Sequence, residues 1–190
     1  MPVTTTDTRE VIMTIARPMI QARGYNALSF RDIAKEVGVK SASVHYHFPT
    51  KGDLGAALAS RYADEAKVFL DGLSVEPVDF DQTIKSYTEA FRSALANDNR
   101  MCLCGIMAAE YDGLPTDVRT QVDRFTDVNV EWLIKLLTRH KPKAKADVIR
   151  EQAVAIFAAI EGAQLVARGR GEIEIFDQCI HAYRTTGLIP

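Results

Sequence analysis

Apolar residues recur along this chain every three to four positions, the spacing of one face of an α-helix. A first helix is predicted from about Thr6 or Asp7 to Arg23, with Ile12, Ile15, Ala16, Met19 and Ile20 as its stripe and Gly24 as its stop. Ser29 with Asp32 has the form of a capping box and opens a second helix at Phe30, with Ile33, Ala34 and Val37 on one face. Gly38 ends it, because glycine takes the left-handed conformation at little steric cost. Residues 40–47 predict a short third helix with Ser41 as its cap, and Thr50 with Asp53 opens a fourth at Lys51. The fourth is expected to reach about Leu70, burying Leu54, Leu58, Tyr62 and Phe69, with a loop over residues 71–79.

The remainder repeats the pattern. Helix five is expected over residues 80–97, with Phe80, Ile84, Tyr87, Phe91 and Leu95 inward, and Asn97-Asp98-Asn99 as a turn. Helix six is placed at residues 101–111, and helix seven at 115–140, with Pro115 at its first position and Val118, Val122, Phe125, Trp132, Leu133 and Leu136 inward. Helix eight, residues 146–168, is apolar over more than one face, and helix nine covers residues 172–185. No alternating stretch predicts a strand, so the fold class is all-α. Pro18 lies inside helix one, where a proline costs about 3 kcal/mol and bends the helix.

Composition narrows the function classes. The chain has 190 residues and a net charge of −2. Residues 1–51 carry seven basic against four acidic side chains, a net +3, and the rest carries 16 against 21, a net −5. A basic head on an acidic body fits nucleic-acid binding by the head alone. Three cysteines make no disulfide framework, no apolar run approaches a membrane span, and no signal peptide is visible, so a cytoplasmic location is expected. No P-loop, HExxH or nucleophile–base set occurs.

The stretch SFRDIAKEVGVKSASVHYHFPTKGDL, Ser29 to Leu54, holds the densest chemistry. Helix, short glycine turn and helix is the helix-turn-helix pattern, whose second helix lies in the major groove of DNA. Tyrosine hydroxyls, lysine and backbone N–H groups at a helix start are groups that grip phosphates. Gly24-Tyr25, Ile33-Ala34, Gly38-Val39, Tyr46-His47-Phe48 and Lys51 to Leu54 occur in the order that marks the N-terminal domain of the TetR/AcrR family of bacterial transcriptional regulators. The chain resembles that family over roughly its first third. It departs from the pattern at Lys40, where a capping serine is usual, at Thr50, where Ser or Asn is common, and at Pro18.

The resemblance implies a helix-turn-helix DNA-binding domain over residues 1–50 and a helical regulatory and dimerisation domain over residues 51–190. It implies a homodimeric repressor released from double-stranded operator DNA by a small molecule or electrophile, with no cofactor and no metal. Residues Lys40 to Phe48 would enter the groove. Arg31, Tyr46, His47 and Lys51 are assigned to phosphates; Lys40 lies at the start of the reading segment, and Ser41, Ser43 and His45 are assigned to base edges. The rival reading is a helical enzyme with a coincidental helix-turn-helix; the missing catalytic constellation speaks against it.

In the body, Met101-Cys-Leu-Cys-Gly-Ile-Met-Ala-Ala-Glu-Tyr111 resembles a Cys-Leu-x6-Glu segment found in one subgroup of the family. Some of its members respond to electrophiles through the cysteine, and in others the segment lines a ligand pocket. Both thiols read first as buried small hydrophobes; the functional alternative is Cys102, the matching position, as a thiolate favoured at the start of helix six two residues from Arg100. The two-residue spacing of Cys102 and Cys104 does not suit one metal ion on a helix. Phe91, Cys102, Met107, Glu110, Tyr111 and Trp132 are the candidate effector-pocket residues. His140 and His181 read as surface residues. Ala155, Ala158, Ala159, Gly162, Ala163 and Ala167 make helix eight either a central core helix or, with Phe176, Ile180 and Tyr183 on helix nine, a subunit interface; the resemblance implies the interface.

Overall fold

The structure is a computed structural model that describes residues 5–75 and 79–190, with side chains from residue 8 onward. Among the described residues it is α-helical throughout: α1 (Thr5–Arg23), α2 (Phe30–Val37), α3 (Ser41–His47), α4 (Lys51–Leu73), α5 (Phe80–Ala96), α6 (Leu103–Ala108), a 3-10 turn (Tyr111–Gly113), α7 (Thr116–His140), α8 (Ala146–Arg170) and α9 (Ile173–Thr185). The all-α class is therefore observed. Part of the expected loop over residues 71–79 falls on residues 76–78, outside the described residues; before them, α4 continues through Asp71 to Leu73.

The chain forms two compact units. The first comprises the chain up to Tyr62 together with Leu103–Asp123, and the second comprises Ala63–Cys102 with Arg124–Pro190. Helices α4 and α7 each contribute residues to both.

In the first unit, α1 packs against α2, α3 and α6, and α2 against α3. Ile12, Met13, Ala16 and Ile20 of α1 are buried with Ile33, Val44, Phe48 and Leu54. Pro18 does not interrupt α1. Local signals set the boundaries. The Ser29 hydroxyl accepts the Asp32 N–H at 3.4 Å, and Gly38, at φ +78°, donates to the carbonyls of Ala34 and Lys35. At the start of α4 the capping box is reciprocal. The Asp53 carboxylate accepts the Thr50 N–H at 2.8 Å, and the Thr50 hydroxyl accepts the Asp53 N–H at 3.1 Å. The cap of α3 is Lys40, through its backbone alone, and Ser41 is already helical. Ser41 as a cap is corrected on that geometry.

In the second unit, α5 packs on α8 and α9, and α8 on α9. Ile84, Tyr87, Phe91 and Leu95 of α5 are buried, as are Trp132, Leu133 and Leu136 of α7. Helical spacing points Phe69 inward, but it is 40% exposed and Leu70 is buried in its place. Helix six is shorter than expected. Glu110 leaves helical geometry at φ −110°, ψ 19°, and its N–H bonds three residues back to Met107. Helix seven starts one residue late, because Pro115 supplies the first capping carbonyl, to Arg119.

Candidate nucleic-acid interface

Helix α3 divides cleanly. Val44 and, just past its end, Phe48 are buried and hold it against the first unit, with the Arg9 guanidinium 4.4 Å from the Phe48 ring centre. Lys40, Ser41, Ala42, His45 and Tyr46 are exposed, Ser43 and His47 half-buried. Tyr46 is 75% exposed, a large aromatic left in water on a helix whose opposite face is anchored. The His45 ring packs edge-on to Phe30 at 4.8 Å and lies 3.4 Å from the Pro49 carbonyl, so its orientation is set. The Tyr46 and His47 rings meet edge-on at 5.2 Å. The Arg31 side chain, on α2, is 92% exposed. Of the eight candidate DNA-contacting residues, seven therefore lie on α2, on α3 or at its cap, with polar groups available to a partner.

Lys51 is the exception. It is half-buried, its ammonium donates to the Asn26 carbonyl at 2.9 Å, and it sits 4.7 Å from the Tyr25 ring centre. Burial lowers its pKa, while the nearby Glu110 carboxylate opposes that shift. Glu110 in turn accepts the Asn26 N–H at 3.0 Å. These contacts fasten the turn between α1 and α2. Gly24 makes them possible: it stands at φ +88°, and a Cβ there would come within 2.5 Å of a Glu110 carboxylate oxygen. Gly55 serves a similar purpose on α4, since a Cβ would lie 2.6 Å from the Tyr25 ring.

The six candidate pocket residues do not share one unit. Met107, Glu110 and Tyr111 belong to the first, and Phe91, Cys102 and Trp132 to the second. Met107 is buried, and Tyr111 is exposed with its hydroxyl donating to Asp123 at 2.9 Å. Cys102 precedes α6 and is 1% exposed; its N–H donates to the Gln164 side chain at 2.9 Å. What faces its thiol is the carboxylate of Glu161. Burial and an acidic neighbour oppose the exposed, electropositive setting that a reactive thiol needs. Trp132 donates to the Ser74 hydroxyl at 2.9 Å and lines a cleft of about 240 Å³ with Leu70 and Leu136. His140 and His181 are exposed as expected, and the His140 ring stacks on Phe80 at 3.9 Å.

Sequence reasoning missed the polar groups inside the second unit. Gln164 bridges the Cys102 N–H and the Phe91 carbonyl, which its side-chain N–H reaches at 2.7 Å. The Tyr87 hydroxyl donates to Asn129 at 3.1 Å. Gln164 was findable, because it falls on the α8 stripe of Ile149, Ala153, Ile156, Ile160 and Ala167. Glu161 gave no such signal.

An anchored short helix after a glycine turn, its outer face polar, has the form of a DNA-binding helix-turn-helix. Comparison with known proteins places it further. Residues 12–58 match the profile of the bacterial regulatory proteins, tetR family. A TetR transcriptional regulator from Legionella pneumophila superposes with a TM-score of 0.87 at 32% identity, covering 94% of this chain and 96% of that one. A TetR-family regulator from Agrobacterium tumefaciens does so with a TM-score of 0.85 at 29% identity, covering 93% and 95%. A regulatory protein TetR from Rhodobacter sphaeroides, at 20% identity, shares the fold with a TM-score of 0.83 over 93% and 96%. No curated, functionally described sequence matches the chain. The chain belongs to the TetR family of transcriptional regulators. No helix among the described residues is long and apolar enough to cross a membrane.

Proposed function

We propose that this chain is a homodimeric repressor that binds double-stranded operator DNA through residues 1–50 and responds to a small-molecule effector through residues 51–190. The observation that carries the reading is the outer face of α3, where Ser41, His45 and Tyr46 stand exposed beside buried Val44 and Phe48. Ser41, Ser43 and His45 read base edges; Arg31, Lys40, Tyr46 and His47 hold phosphates. Lys51 steadies the α1–α2 turn from inside and brings its charge to the start of α4. The site of action is the cytoplasm, where bacterial operators are.

The dimer forms on α8 and α9. Ala155, Ala158 and Gly162 of α8 face outward, Leu165 and Val166 are half exposed, and a Cβ at Gly162 or Gly169 would meet nothing. Such a strip admits the close approach of a second helix. Ala163, Ala167 and Phe176 are buried within the chain itself and drop out of the interface. An effector held by the second unit reaches the head through α4 and α7, which supply residues to both units. A non-covalent effector fits the burial of Cys102 better than an electrophile does.

Selection on genomic fragments from the source organism, followed by titration of the selected duplex against random duplex at several salt concentrations, tests the reading. The expected result is a steep salt dependence on both duplexes and a large preference for the selected one. No duplex binding at low salt would remove the regulator reading and return the helical-enzyme alternative.

A further inference from the structure

The second unit buries an acid that no strong donor answers. Both carboxylate oxygens of Glu161 are shut off from solvent, and among the described residues the group that reaches them is the Cys102 thiol. The Cys102 thiol that faces them is a weak donor. A buried carboxylate in that state is costly unless something pairs with it.

Its surroundings are specific. On α8, Phe157, Glu161 and Gln164 are spaced i, i+4, i+7 and share one face. That face meets α5: the Phe157 ring lies 6.5 Å from the Phe91 ring, and Gln164 bonds the Phe91 carbonyl. Tyr87, one turn earlier on α5, packs edge-on to Phe91 at 5.3 Å, and its hydroxyl feels the Glu161 charge. Glu161 therefore shares its face of α8 with Phe157 and Gln164 and lies near the Tyr87 hydroxyl. Glu161 and Phe157 are only half-buried as residues, so their outer parts reach the surface.

A carboxylate supplies a counter-ion, and aromatic faces attract a cation through their quadrupoles. We propose that the second unit holds a recognition site for an organic cation, with the Glu161 carboxylate as its counter-ion and the rings of Tyr87, Phe91 and Phe157 as its walls. The proposal rests on the effector-responsive reading above and assigns the effector a charge class. Cys102 then acts as a packing neighbour of the acid, not as the sensor.

Trp132 is the sole tryptophan and packs against Tyr87 with the rings tilted and their centres 4.8 Å apart, so its fluorescence reports on this region. The DNA-free protein is titrated with benzyltrimethylammonium and with its neutral carbon isostere, neopentylbenzene. The expected result is that the cation binds wild type at least about tenfold more tightly than the isostere. Glu161→Gln abolishes the difference while leaving the isostere's affinity unchanged, and Cys102→Ser keeps it. Equal affinities for the two probes in wild type, or an unchanged preference in Glu161→Gln, would overturn the proposal.

If Glu161→Gln does not fold, the pH dependence in wild type decides. Burial pushes the Glu161 carboxyl up to about 7. Cation affinity should therefore fall between pH 8 and pH 6 while isostere affinity stays flat; parallel behaviour of the two probes would overturn the idea. Of the groups facing Glu161, the Tyr87 hydroxyl stays protonated across this range, and repeating the titration on Cys102→Ser removes the thiol. Because no DNA is present, these results stand apart from the regulatory reading. Glu161-dependent cation binding that leaves operator affinity unchanged supports the site and removes only the effector response.

Discussion

At Gly24 the lack of a side chain decides whether the turn after α1 can close. Alanine there would carry the strain of φ +88° and press its Cβ against Glu110. Gly24→Ala is expected to lower the unfolding free energy by about 1–3 kcal/mol in urea denaturation. Adding Glu110→Ala should recover the steric part and leave the backbone part, so the two losses will not be additive. Glu161 acts in the opposite sense. Its carboxyl titrates near 4.5 unfolded and about 7 folded, because burial disfavours the charged form. The folded protein thus holds a proton the unfolded chain has released, and stability from this group is lost as pH rises through about 7. Glu161→Gln should be more stable than wild type at pH 8, by up to about 3 kcal/mol, with the gain shrinking towards pH 4.5. A gain of equal size at both pH values would mean that the acid is not the source.

At the scale of the element, α3 owes its role to a division between faces. Val44 and Phe48 fix it, and the exposed polar side can be changed without disturbing the core. Ser43→Ala or His45→Ala should therefore shift preference among duplex sequences, by about 1–3 kcal/mol for each hydrogen bond to a base edge that the substitution removes. Arg31→Ala should weaken all duplexes alike and make the salt slope shallower by about 1. Lys51→Ala separates the two kinds of contribution, because its ammonium is tied to the Asn26 carbonyl and the Tyr25 ring. It should lower the thermal midpoint as well as DNA affinity, whereas Arg31→Ala should lower affinity alone. An unchanged midpoint in Lys51→Ala would return that lysine to the plain phosphate-contact role.

For the whole molecule, the outward strip on α8 is the proposed dimer interface. Ala158 is exposed in the single chain, so Ala158→Glu should leave the fold intact and split the dimer, since an unpaired charge would be buried only in the dimer. Sedimentation velocity should show a monomer, and operator affinity should fall because one head makes half the contacts. A dimer of unchanged strength would place the interface elsewhere. Ala163 and Ala167, buried inside the chain, would instead test folding.

The sequence by itself determined the elements. The Ser29 cap, the Gly38 stop, the Thr50–Asp53 box and the helical spacing of Ile33, Leu54, Ile84 and Leu133 act between residues within a turn or two, so they are visible in order along the chain. The candidate DNA-reading residues were legible for the same reason, since α3 carries nearly all of them in one short run. Only the tertiary structure decided what the charged and reactive residues of the body do. Glu110 meets Asn26 across 84 residues, and Lys51 meets the same residue across 25. The neighbours of Cys102 lie on α8, and their packing decides between the two readings of the thiol in favour of a buried one beside an acid. Periodicity put Phe69 inward, but on α4 the buried position is Leu70. A side chain's charge state, exposure and partner depend on which distant atoms exclude water from it, and one chain's local spacing carries no record of that.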